Sequence, residues 1–187
     1  MKAHMQHTEE TIRRLARVQY NTYCQGQKLL SLAISAAFLF AGVLGEFSRT
    51  TSLVLIFIGC WSFTEINVPA DRNAKKIIDY AKDHFPVSEY QFEENVIRIL
   101  GDNQETLLSY DDLYSLISDG SYLYLFISKF SAYMVSLEKM EEKNRKELET
   151  LLCRRTGRKI EQPGTLLTLN LGTLCNHMRR ENIGGKI

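Results

Sequence analysis

Four cysteines are all this chain has, Cys24, Cys60, Cys153 and Cys175, and no two stand in a CxxC spacing. A disulfide framework needs a paired, secreted pattern, so reduced thiols facing cytosol or lipid are expected instead. No cleavable leader is expected either: the first 28 residues are polar, and the apolar run after them lacks an A-x-A-like exit. Histidines are few and scattered, at His4, His7, His84 and His177. A metal site needs three or four converging ligands, so no metal is expected, and His4 and His7 read as part of a flexible start. The chain has no G-x-S-x-G, P-loop or H-E-x-x-H pattern. No catalytic residue, no cofactor and no enzymatic activity are therefore expected. The net charge of +1 gives no reason to expect a nucleic-acid partner.

What the chain does have is two long apolar runs. Leu29–Gly45 holds seventeen residues without a charge, and Thr50–Thr64 is uncharged over fifteen. A spanning helix takes roughly 17–25 residues. The first run reaches that length. The second approaches it once Phe47, Ser48, Ile66 and Val68 are added, with Arg49 and Glu65 at the interfaces. Both runs are apolar all round, and Trp61 and Phe63 sit where an interfacial aromatic belt would lie. A two-span hairpin over residues 29–68 follows. Arg13, Arg14, Arg17 and Lys28 precede it, Arg72, Lys75, Lys76 and Lys82 follow it, and only Arg49 lies in its loop. The positive-inside rule puts both termini in the cytoplasm. Ala33, Ser35, Ala36, Ala37, Ala41, Gly42 and Gly59 allow the two helices to approach closely, and homo-oligomerisation through them stays open.

Residues 1–28 read as an N-terminal cytoplasmic segment whose helix runs over 8–28, capped at Thr8 and acidic in its first turn at Glu9 and Glu10. Its apolar face, with Ile12, Leu15, Ala16 and Tyr23, suits either the anionic leaflet or the cytoplasmic domain. Residues 69–86 read as a helical connector that ends at Pro86. From Val87 the pattern turns to strands: Val87–Glu93, Val96–Leu100, Glu105–Tyr110, Leu113–Ser118, Ser121–Ile127 and Ser131–Leu137. The Asp119-Gly120 pair between two of them is a strong hairpin signal. Leu123, Leu125 and Ile127 alternate with Tyr122, Tyr124 and Phe126, as in a strand covered on both sides, so the aromatic stripe reads as core. Lys139–Arg155 reads as a helix with a Met140, Leu148, Leu151 and Leu152 stripe, stopped at Gly157. The fold class is α+β: a transmembrane hairpin plus a small antiparallel sheet of five or six strands, capped by a C-terminal helix over residues 87–160.

The stretch from Tyr90 to Leu152 resembles the YcxB-like family of bacterial membrane proteins. The segments that carry the likeness are YQFEENVIRI, SYDDLYSLISDGSYLYLFIS and AYMVSLEKM. The family's Ile-Pro-Lys-like step is replaced here by Val135-Ser136-Leu137-Glu138-Lys139, and the segment before the spans is short. The resemblance implies a bacterial cell-membrane location and a sheet capped by a helix, like a pleckstrin-homology domain. It brings no established activity and no catalytic residues.

Charge narrows the function further. Residues 87–137 hold eight acids against two bases, a net of −6 that argues against phosphoinositide-style recognition. Asp111 and Asp112 are neighbours that would point to opposite faces of a strand, which does not suit a carboxylate pair. Arg154-Arg155 with Arg158-Lys159, and Arg179-Arg180, fit helix C-termini better than lipid headgroups. After Pro163 and Gly164, the tail over residues 161–187 carries Leu166, Leu167, Leu169, Leu171, Leu174 and Met178, too many apolar groups to leave in water. Leu167, Leu171, Leu174, Met178, Arg179 and Arg180 are the candidate contacts to a partner or to the membrane. The expected function is a membrane-anchored, non-catalytic module that docks a membrane or cytosolic protein. The alternative is an accessory or immunity-type subunit that protects or assists a membrane partner.

Overall fold

The computed structural model describes residues 1–81, 84–101, 104–138 and 140–163. These residues form two compact units: Met1–Gln19 with Ala74–Pro163, and Tyr20–Asn73.

The second unit is a helical hairpin. Helix α2 runs from Gln25 to Leu44 and helix α3 from Arg49 to Thr64. Twenty residues at 1.5 Å each make α2 about 30 Å long, the thickness of a bilayer's hydrocarbon core. A 3-10 turn, Glu65–Asn67, leads from α3 into helix α4, Val68–Ala81, so the second leg is helical over Arg49–Ala81. Both legs are long and apolar enough to cross a membrane. The loop between them is closed by Ser48, whose hydroxyl accepts a hydrogen bond from the Thr51 amide and caps α3.

The buried face of α2 carries Lys28, Ser35 and Gly42, spaced by seven residues; that of α3 carries Gly59. Glycine is required at the crossing. A Cβ on Gly42 would lie 2.8 Å from Ile56 Cγ1 and 3.0 Å from the Ser52 carbonyl, and one on Gly59 would lie 2.8 Å from Leu39 Cγ. The outer faces are apolar and exposed, with Phe40, Val43, Leu53, Phe57 and Trp61 each at 60% or more.

The other unit holds the strands, and it begins earlier than the sequence predicts. The expected flexible start is a strand, β1 (Lys2–Gln6), in which Ala3 and Met5 are buried while Lys2, His4 and Gln6 face out. Helix α1 follows over Glu9–Tyr23 and stops one residue before α2, so the segment over residues 1–28 is a strand, a shorter helix than expected and the first turn of the hairpin. Its N-terminus is closed reciprocally: the Thr8 amide donates to Thr11 Oγ1 and the Thr11 amide to Thr8 Oγ1.

After the hairpin come β2 (Val87–Phe92), β3 (Val96–Gly101), β4 (Gln104–Ser109), β5 (Ser115–Ser118), β6 (Tyr122–Ser128) and β7 (Ser131–Ser136). Helix α5 (Glu142–Thr156) and a two-residue strand β8 (Ile160–Glu161) follow. The strands form two sheets where the sequence predicts one, in the orders β1-β2-β3-β4 and β7-β6-β5-β8. The break falls at Tyr110–Asp112, a 3-10 turn where the chain passes from β4 to β5, so Asp111 and Asp112 lie in a turn. The sheets are antiparallel except where β8 pairs with β5 in parallel. β1 also packs beside β7.

The core fills as the alternation demands. Met5, Tyr90, Phe92, Ile97 and Ile99 are buried from the first sheet, and Leu116, Ile117, Met134 and Val135 from the second. On β6, Leu123, Tyr124, Leu125 and Phe126 are all fully buried, the two-sided cover that their composition implies. Helix α5 inserts Leu148 and Leu152, starts three residues later than expected, and ends on Gly157, whose φ of 64° is left-handed. The fold is α+β: helices in the N-terminal half, antiparallel sheets after them, and a C-terminal helix.

Candidate functional site

The position of β1 defines the centre of interest. It precedes the hairpin in sequence, yet it pairs with β2, which follows the hairpin: Lys2 lies opposite Gln91 and Gln6 opposite Val87. The hairpin is thus an insertion between two neighbouring strands. The neck of the insertion is closed by a backbone hydrogen bond of 3.2 Å, from the His7 amide to the Pro86 carbonyl. The His7 imidazole is partly buried there and its Nδ1 has no partner, and burial holds its pKa below the ordinary value. Above the neck, Ile12 and Ala16 of α1 pack on Ala74 of α4, with Ile78 and Phe85 alongside. The apolar face of α1 thus meets α4, the connector helix, rather than either of the two surfaces expected for it.

Asp119 fixes α1 to the domain. Its Oδ1 accepts hydrogen bonds from the amides of Ser121 (3.1 Å) and Tyr122 (2.9 Å), which shapes the β5–β6 turn. Its Oδ2 accepts from the Tyr124 hydroxyl at 2.6 Å and from Arg14 Nε at 2.8 Å. The side chain is only 12% exposed. Burial acts to raise its pKa, but the bonds from Tyr124, the two amides and Arg14 outweigh this and hold it below the usual carboxylate range. Tyr124 is driven the other way, first by burial and then by the bond to Asp119. The Arg14 guanidinium lies 4.8 Å from the centre of the Tyr122 ring. One turn and a half further along α1, the Gln19 amide group donates to the Lys129 carbonyl at 2.9 Å. Sequence reading found Asp119 as a turn residue and Arg14 as an inner-leaflet charge. Nothing local in the sequence links residues 105 positions apart.

This arrangement holds α1 against the β5–β6 turn. Asp119 is saturated with donors and has no nucleophile to activate. Among the described residues no three His, Cys, Asp or Glu side chains converge on a metal position. The domain's grooves are shallow: one beside β1 and β7 is lined by Lys2, His4, Glu89, Ser136, Glu141 and Asn144, and another by Glu89, Leu100, Gln104 and Glu105. Both carry carboxylates, in keeping with the acidic strand region. The basic pair at the end of α5 is partly engaged, with Arg155 on Glu94 at 3.2 Å. The six residues singled out in the tail, Leu167, Leu171, Leu174, Met178, Arg179 and Arg180, lie outside the described residues.

No curated protein and no solved structure matches this chain. Residues 92–152, from the last residue of β2 to Leu152 in α5, match the family model of the YcxB-like protein, so this part of the chain is similar to that family.

Proposed function

We propose that the chain is a multi-pass protein of the bacterial cell membrane, with both termini in the cytoplasm, whose YcxB-like domain is a non-catalytic module that docks a protein partner at the membrane. The observation that carries this reading is the pairing of β1 with β2 across the hairpin. Strands that share one sheet lie on one side of any bilayer, which supports a hairpin whose two legs cross and return. The bases on both flanks, against Arg49 alone in the loop, select the cytoplasmic side. The acidic grooves of the strand-bearing unit support a binding role.

The tail supplies the proposed contact surface, with Leu167, Leu171, Leu174, Met178, Arg179 and Arg180 meeting the partner or the leaflet. Cross-linking in intact cells, followed by purification in mild detergent, tests this. One defined partner recovered with the full chain, and lost on deletion of residues 164–187, is the expected result. A chain recovered only with copies of itself would overturn it. The accessory or immunity-type reading rests on a different surface, the exposed apolar faces of α2 and α3. There the partner would survive the tail deletion and be lost with Phe40→Ala and Phe57→Ala.

A further inference from the structure

The inner face of the first sheet changes character from one end to the other. Strand pairing sets three rows across it, because residues two apart on a strand share a face. Phe92, Ile97 and Leu108 form the first row, all buried and apolar. Tyr90, Ile99 and Thr106 form the second, and Ser88, Gly101 and Gln104 the third. Apolar core thus gives way to small and polar side chains, and the face opens into a cavity of about 410 Å³. The second and third rows line it, Tyr90 excepted, together with Pro86 and Tyr133. All of these residues belong to the strand-bearing unit.

Two observations point to a ligand there. The first is Tyr90, just under the cavity wall. It is fully buried, its ring meets that of Tyr133 edge-on at 6.5 Å, and its hydroxyl lies near the Ser88 side chain without making a hydrogen bond. Buried hydroxyls are almost always paired, so this one keeps an unused donor and acceptor beside Ser88. The second is Gly101. Its φ is not left-handed, so the backbone does not demand a glycine. A Cβ there would stand 3.4 Å from the Val87 carbonyl and 3.5 Å from Ser88 Oγ, an ordinary contact, so packing does not demand one either. A side chain at this position would project beside Ser88 and fill the cavity.

The lining decides the chemistry. Ser88, Thr106 and Tyr133 offer hydroxyls and Gln104 an amide. Among the described residues no charged side chain lines this cavity, in contrast to the two carboxylate-bearing grooves. An ion would lose its hydration there without meeting a counter-charge, and an apolar molecule would strand the hydroxyls. Hydroxyl groups, which donate and accept at once, match the lining. The volume lies in the lower part of the range of small-molecule pockets.

We propose that this cavity binds an uncharged polyhydroxyl molecule of monosaccharide size, with Ser88, Gln104, Thr106 and the Tyr90 hydroxyl as its polar contacts. The full chain, held in a detergent without a sugar headgroup, is tested by saturation-transfer NMR against glucose, mannitol and glucuronate at millimolar concentration. Transfer to a neutral probe and none to glucuronate is the expected result. Tyr90→Phe, which removes one oxygen, should weaken binding several-fold without lowering the melting temperature, and Gly101→Leu should abolish it. No transfer to either neutral probe overturns the proposal and leaves the cavity to water. Equal transfer to glucuronate, or binding that survives both substitutions, overturns it as well. If Gly101→Leu does not fold, Tyr90→Phe decides alone, and an unchanged affinity in that variant overturns the site.

Discussion

At the residue scale, Asp119 carries more of the architecture than any other polar side chain described. It closes its own turn, receives the Tyr124 hydroxyl and anchors α1 through Arg14. Asp119→Ala leaves four donors without their acceptor and should lower stability by about 2–3 kcal/mol, whereas Arg14→Ala, which removes a pair 38% exposed on the arginine side, should cost about 1 kcal/mol. Thermal unfolding of the full chain in mild detergent measures both. Because the Asp119 pKa is depressed in the folded state, its contribution is complete above the ordinary value of 3.8 and disappears as pH falls through the lower, folded value. The stability gap between the protein and its Asp119→Asn variant should therefore shrink below about pH 4. Beside it, Gly120 has a φ of 94°, a conformation a β-branched residue resists. Gly120→Val should cost about 1–3 kcal/mol, read in the same melt; an unchanged midpoint would show that the turn relaxes without strain.

At the scale of elements, β1 and α1 show what a sequence conceals. The apolar runs, the Asp119-Gly120 turn, the six strands after Val87 and the helix stopped by Gly157 were all legible, because each is written in a local period or a local turn residue. β1 was not. KAHMQ does alternate, with Ala3 and Met5 inward, but two small or flexible apolar residues make a weak signal, and the partner strand is more than eighty residues away. The division into two sheets was hidden for a related reason: strand periodicity says which face is buried, not which strand is the neighbour. The anchoring role of Asp119 escaped because its turn role already explained it. The importance of β1 can be measured. Deleting residues 2–6 uncovers the edge of β2 and loses the burial of Met5 and Ala3, and should destabilise the domain by about 3–5 kcal/mol. If the truncated chain melts with the full one, β1 is an ornament of the sheet and not a member of it.

At the scale of the whole molecule, the domain is tied to its hairpin by covalent bonds at both ends, through a neck closed between His7 and Pro86. The topology this implies is directly testable. A cysteine placed at Ser48, in the loop between α2 and α3, should react with an impermeant thiol reagent in intact cells; one placed at Ser88, in β2, should react only after lysis. Wild-type controls account for Cys60, which is exposed on α3. The reverse labelling would invert the protein. The insertion between β1 and β2 also sets a schedule for synthesis. Gln6 leaves the ribosome 81 residues before Val87, its partner, an interval of roughly 4–16 s at ordinary elongation rates of 5–20 residues per second. During that interval the first strand must wait without β2 while the hairpin is made. The sheet can close only after both legs have been translated, so a chain whose two strands are held apart would display the bare edge of β2. The fold thereby makes completion of the hairpin a condition for closing its first sheet, because β1 has no partner until β2 has been made.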